Sequence, residues 1–221
     1  YGSGEGHVLL DPFMGSGAVS LVGKLMGYQV HANDVSVRSE AFGVALIENS
    51  SETLSDADLV RALEMPIDGW YMPSDKVLPW RKDVKELLVR LCVAAEQYDD
   101  HRRAALMRSL MVKVALRMAL WGQVRATANA SIRDEAWDKM SSGQVGAMGP
   151  FFHPHREMRT SMHTLNRGVC DNGLANSMSC MDVLAFLADQ PADVVYLDPP
   201  YPGTVAYETE YLPLDELLSN H

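Results

Sequence analysis

The stretch HVLLDPFMGSGAVSLVGKLMGYQVHAND, residues 7–34, decides the fold. HVLL (7–10) is a short apolar strand, and DPFMGSG (11–17) is a turn with glycines at 15 and 17. AVSLVGKLMG (18–27) carries apolar residues at helical spacing and stops at Gly27, as helices often do. YQVHAND (28–34) is a second strand that ends in an acid. Strand, glycine turn, helix and strand make a βαβ unit, whose two strands must lie parallel. Gly15 and Gly17 allow close approach of the backbone to a ligand at the positive end of the helix. Asp34, at the end of the second strand, is placed to accept hydrogen bonds from both hydroxyls of a ribose. The turn lacks a GxGxxG pattern, which favours a mononucleoside ligand over a dinucleotide.

The second informative stretch is VVYLDPPYPG, residues 194–203. Val194, Val195, Tyr196 and Leu197 read as a buried strand. The prolines cannot donate to a sheet ladder, so the strand ends at Asp198, and Asp198, Pro199, Pro200 and Tyr201 form a stiff turn at its carboxyl end. In open α/β sheets, ligands bind at that end.

Between these stretches, a helix is expected over 37–49. The pattern then becomes helical from about 53 to 140, with segments near 56–64, 82–98, 102–123 and 132–140. Residues 141–177 are rich in Gly, Asn, Ser and His with little periodicity and read as long loops. A strand near 178–180 and a short helix over 183–188 precede the final strand.

The chain has 221 residues, 47% apolar and 22% charged, enough for one globular domain with a large insertion. No apolar run approaches a membrane span, and no signal peptide is evident. Three cysteines, Cys92, Cys170 and Cys180, without CxxC spacing, indicate a reducing compartment and no disulfide framework. The net charge of −10 is segregated: residues 81–167 hold 15 Lys/Arg against 9 Asp/Glu. That stretch alone is suited to a polyanion.

DPFMGSG, then Asp34, then DPPY after a helical insert resembles the Dam-like, or D12-class, DNA adenine-N6 methyltransferases. The likeness covers 7–50 and 176–211; across 51–175 it is architectural. It implies an α/β fold: a Rossmann-like methyltransferase sheet with a mainly helical insert. Residues 1–50 and 176–221 would be the catalytic domain, and 51–175 the region recognising the DNA target. It implies S-adenosylmethionine as cofactor and double-stranded DNA as substrate, in a cytoplasmic, nucleoid-associated enzyme of restriction–modification or phage defence. Carried over by residue, Asp11, Pro12, Phe13, Gly15 and Gly17 line the methionine part of the cofactor and Asp34 holds the ribose. Asp182 and Val183 border the adenine ring, and Asp198, Pro199, Pro200 and Tyr201 are the catalytic corner. Four strands are evident where the family has seven, so the sheet reads as incomplete, to be finished by a partner chain or a further segment.

Two other functions share these motifs: an RNA methyltransferase acting on guanine N2 or adenine N6, and a catalytically silent DNA-binding subunit. The long insert favours DNA, and the intact Asp34 and DPPY argue against a silent subunit. Arg156, Arg159 and Arg167, read as loop residues, are the candidates for reaching base edges, because arginine bonds guanine bidentately. Lys82, Lys85 and Arg90 read as solvated helix faces. His153, His155, His163 and Cys170 match no standard zinc spacing, so no metal is expected. Trp121 and Trp137 read as core anchors, and ETEY (208–211) as an acidic surface segment.

Overall fold

In the computed structural model, residues 4–74, 82–119, 154–188, 190–201 and 207–220 are described. The expected helix over 132–140, the carboxyl end of the one over 102–123, His153, Trp121 and Trp137 lie outside them. The elements are β1 (Val8–Asp11), α1 (Ala18–Leu25), β2 (Gln29–Asp34), α2 (Val37–Gly43) continuing into a π turn (Val44–Glu48), and α3 (Asp56–Leu63). They continue with α4 (Lys82–Ala95), α5 (His101–Ala119), α6 (Pro154–Gly168), β3 (Ser177–Cys180), α7 (Val183–Leu187), β4 (Val194–Val195) and α8 (Tyr207–Ser219).

The described residues form two compact units. The first, drawn from 1–53, 98–109 and 165–204, holds a parallel sheet in the order β3-β2-β1-β4. The order reverses at β1, because β2 and β3 lie on one side of it and β4 on the other. This is an α/β fold with a Rossmann-like sheet, as expected.

Leu9, Leu10, Val30 and Ala32 form the sheet's buried centre. Helix α1 packs so closely on β1 that a β-carbon at Gly23 would collide with the Leu9 side chain. Lys24, fully buried, donates from Nζ to the carbonyls of Leu46 (3.1 Å) and Asn49 (2.7 Å). Those carbonyls belong to the end of the π turn, where orphan acceptors need donors, so a lysine inside the unit fixes α1 to the chain after β2. Burial pulls its pKa below the ordinary lysine value, partly opposed by the charges of Cys170 and Asp171.

The second unit, drawn from 54–97, 110–164 and 205–221, is helical among its described residues. Helix α3 starts at a capping box in which Ser55 and Asp58 bond each other's backbone N–H groups. In α4, Val84, Leu87, Leu88, Leu91 and Cys92 are buried at helical spacing.

The structure corrects three expectations. Residues 154–168 are helical, so Arg156, Arg159 and Arg167 sit on α6 instead of in a loop. Met158, Ser161, Met162 and Leu165 bury one stripe of it, and Pro154 stands at its first position, where a missing N–H costs nothing. Val194, Val195, Tyr196 and Leu197 are exposed, at 42, 45, 38 and 62%, because among the described residues β4 pairs only with β1. Lys85 is buried, not solvated: its stem packs inside and Nζ donates to the Pro73 carbonyl. Residues 207–219, which include ETEY, form a helix.

Candidate functional site

Each carboxylate singled out from the sequence lies at or just beyond the carboxyl end of a strand or in the turn after it. Asp11 is the last residue of β1 and Asp34 the last of β2. Asp182 follows β3, and Asp198 lies three residues past β4. The sheet's reversal at β1 puts a topological switch point between β1 and β4, where such sheets bind ligands.

The glycine turn has the required backbone. Gly15 and Gly17 adopt φ of 57° and 81°, in the left-handed region that side chains disfavour. The Gly17 N–H donates to the Met14 carbonyl at 3.0 Å, and the Gly15 N–H to Asp34 Oδ2 at 2.9 Å. Asp34 Oδ1 accepts the Ser36 N–H at 3.0 Å. Two bonds leave a carboxylate further lone pairs for incoming hydroxyls.

Asp11 is buried, and its Oδ2 accepts the Ser20 hydroxyl at 2.7 Å. Oδ1 is buried with no hydrogen-bond partner among the described residues. Burial raises its pKa above the ordinary aspartate value, and the charges of Asp34 and Asp198 add to this; Ser20 and the Phe13 amide oppose it. A buried carboxylate oxygen without a partner, amid further negative charge, is chemically suited to a cationic group. That fits the ammonium and sulfonium of S-adenosylmethionine. Beside Asp11, Pro12 is buried and Phe13 half-buried.

Asp182 caps α7, its Oδ1 accepting the Leu184 and Ala185 N–H groups at 2.9 and 3.3 Å. Val183 begins the helix, half-buried. At the last corner, the Tyr196 N–H donates to the Leu10 carbonyl, extending the β1–β4 ladder one residue beyond Val195. Asp198, Pro199, Pro200 and Tyr201 are exposed. The Tyr201 hydroxyl donates to Asp198 Oδ1 at 2.9 Å, and the Tyr196 hydroxyl to Oδ2 at 3.5 Å. The bond to Asp198 and the aspartate's charge raise the Tyr201 pKa.

Sequence reasoning missed Asn33. Fully buried beside Asp34, it bonds both the glycine turn and the turn after β3. Its position in a polar strand end carried no signal, since its partners are remote in sequence.

Sheet order, glycine turn and strand-end acids together make a Rossmann-like α/β fold, consistent with that of methyltransferases. Residues 3–75 match the model of the D12 class N6 adenine-specific DNA methyltransferase. The chain is also 29% identical over 208 residues to the Type II methyltransferase M2.HphI of Haemophilus parahaemolyticus, covering 90% of this chain. It spans 60% of that relative's length. No solved structure matches. Both matches bear out the resemblance read from the motifs. Among the described residues no helix is long and apolar enough to cross a membrane.

Proposed function

We propose that the chain transfers a methyl group from S-adenosylmethionine to the exocyclic N6 of an adenine flipped out of double-stranded DNA. The observation that carries this reading is that Asp11, Asp34 and Asp198 all lie at or just beyond the carboxyl ends of β1, β2 and β4, beside a glycine turn bonded to Asp34 at the switch point. Bound there, the cofactor would supply an electrophilic methyl group on sulfur.

The chain's residues do the remainder. Asp11 faces the methionine ammonium, with Pro12, Phe13, Gly15 and Gly17 lining that half of the pocket. Asp34 accepts the ribose hydroxyls, and Asp182 and Val183 border the adenine ring. An adenine amino nitrogen is a poor nucleophile because its lone pair is delocalised into the ring. The Asp198 carboxylate and the Pro199 carbonyl each accept one of its N–H groups, which draws the nitrogen toward tetrahedral geometry and frees the lone pair for in-line attack on the sulfonium methyl. The N–C bond would form as the S–C bond breaks to leave S-adenosylhomocysteine, and the surplus N6 proton would pass to water beside Asp198. Pro200 stiffens the turn that holds both acceptors. Positioning and electrostatics account for the rate, with no covalent intermediate. Flipping the base costs a few kcal/mol, of which stacking on the exposed Tyr201 ring returns about 1–3 kcal/mol.

Residues 1–50 and 176–221 serve as the catalytic region and 51–175 as the target-recognition region. Within the latter, Arg156, Arg159 and Arg167 project from the exposed side of α6, opposite its buried stripe, toward DNA. The apolar exposure of β4 supports a further segment or partner chain beside it. Sequencing that detects modified bases, applied to DNA from cells expressing the complete enzyme, tests the reading. N6-methyladenine at a defined site is expected; unmodified DNA alongside methylated RNA would overturn it.

A further inference from the structure

Asn33 Nδ2 donates to the Met181 carbonyl at 3.1 Å and the Pro12 carbonyl at 3.4 Å, while Oδ1 accepts the Met181 N–H at 3.2 Å. Its main-chain carbonyl accepts the Met14 N–H at 3.0 Å. One fully buried residue therefore ties the turn after β1 to the turn after β3, which is 148 positions away along the chain. The partners also fix the amide's orientation: two carbonyls require its NH₂, and one N–H requires its oxygen.

We propose that Asn33 is a positioning residue that presets the spacing between the methionine half and the adenine half of the cofactor pocket. The proposal rests on the S-adenosylmethionine reading above and goes beyond it, because Asn33 acts through Pro12, Met14 and Met181 and not on the cofactor. Aligning the two turns in advance spares the ligand the cost of ordering them. Aspartate at this position would keep the acceptor for Met181 but set a carboxylate oxygen against two carbonyl oxygens. Asn33→Asp is thus nearly isosteric and breaks the tie.

Asn49 provides the control. It is equally buried, and its Nδ2 donates to the carbonyls of Ala45 (3.1 Å) and Glu52 (2.9 Å). Its Oδ1 accepts the N–H groups of Ser51 (3.1 Å) and Glu52 (2.8 Å), so all these side-chain bonds stay within residues 45–52. Asn49→Ala removes a comparable set of bonds without touching either turn.

The test is calorimetric titration of the complete enzyme with S-adenosylhomocysteine and with adenosine, alongside amide hydrogen exchange of residues 13–17 and 181–185. Asn33→Asp and Asn33→Ala are expected to weaken S-adenosylhomocysteine binding about tenfold or more, the effect of losing a buried hydrogen bond. Adenosine, which lacks the methionine half, loses less, and the two turns exchange faster together. Asn49→Ala lowers the melting temperature and leaves affinity near wild type. Unchanged affinity in both Asn33 variants, or an equal loss in Asn49→Ala, would overturn the proposal. If the wild type binds no S-adenosyl compound, the cofactor reading fails while exchange still decides the tie. Release of both turns by Asn33→Ala upholds it, and release of one alone refutes it.

Discussion

The backbone N–H of Gly15 donates to Asp34 Oδ2 at 2.9 Å, so the acid at the end of β2 shapes the glycine turn after β1. Under the proposed function, replacing Asp34 would remove a ribose acceptor and a support for the turn together. Asp34→Ala should weaken S-adenosylhomocysteine by about 1.5–3 kcal/mol, the usual worth of hydrogen bonds to a charged group. Calorimetry checks this; an unchanged affinity would remove Asp34 from the ribose role.

Asp11 should trade stability against binding. Its folded pKa is raised, so the folded state favours the neutral acid, and the stability this gives is complete below the ordinary aspartate value of 3.8 and lost as pH rises through the folded pKa. Asp11→Asn keeps an acceptor for Ser20 and removes the buried charge. The cofactor-free variant should melt about 2–4 °C higher at pH 7 if the relief is near 1 kcal/mol, and show less dependence on pH above 4. The same change should weaken the cofactor, because the orphaned Oδ1 no longer offers a full negative charge to a cation. In the wild type, affinity should grow with pH through the raised Asp11 pKa. Thermal melts and titrations across pH test both signs.

Under the proposed function Tyr201 would have two separable jobs, stacking on the base and holding Asp198. Tyr201→Phe keeps the ring and loses the 2.9 Å bond to Asp198 Oδ1. It should cost less than tenfold in turnover, because the hydroxyl donates to an exposed carboxylate that water can solvate in its place. Tyr201→Ala should cost more, and mainly in DNA affinity. Equal losses in the two variants would assign the whole effect to the hydroxyl.

The elements around the first acid were legible because each signal is local. The period of 18–25 and its glycine stop mark α1, and alternating buried positions ending in an acid mark β2. Helix α6 was not legible: among the described residues it buries just Met158, Met162 and Leu165 as apolar side chains, together with the polar Glu157 and Ser161, in a polar segment between Gly-rich and Asn-rich stretches. The exposure of β4 and the burial of Lys85 depend on which neighbours the fold supplies, and composition does not carry that. Asn33 is the strongest case, since its meaning comes from Pro12 and Met181.

Arg159 differs from the other α6 arginines in one respect. Its Nε donates to Asp56 Oδ1 at 3.0 Å in an ion pair whose side chains are 62% and 59% exposed. Such pairs add little stability, but a phosphate or base contact by Arg159 would have to compete with this one. Arg156→Ala and Arg167→Ala should each cost about 1–3 kcal/mol on the cognate DNA site if they read bases, and Arg159→Ala less. A phosphate role would show instead as a salt slope reduced by about 0.9 for each phosphate no longer neutralised. Gel-shift titrations at several salt concentrations separate these outcomes; no change in either quantity for any of the three would exclude α6 from the interface.

The central claim, that Asp198 activates an adenine amino group, is tested most directly by single-turnover methyl transfer to duplex DNA with nucleoside mass spectrometry. The comparison is between the complete enzyme and Asp198→Ala, with S-adenosylhomocysteine affinity measured on both. The account predicts N6-methyladenine from the wild type, and a rate lower by about 10²–10³ or more in the variant, at cofactor affinity within a few-fold. A methyl group on another base, or near-normal transfer by Asp198→Ala, would contradict it.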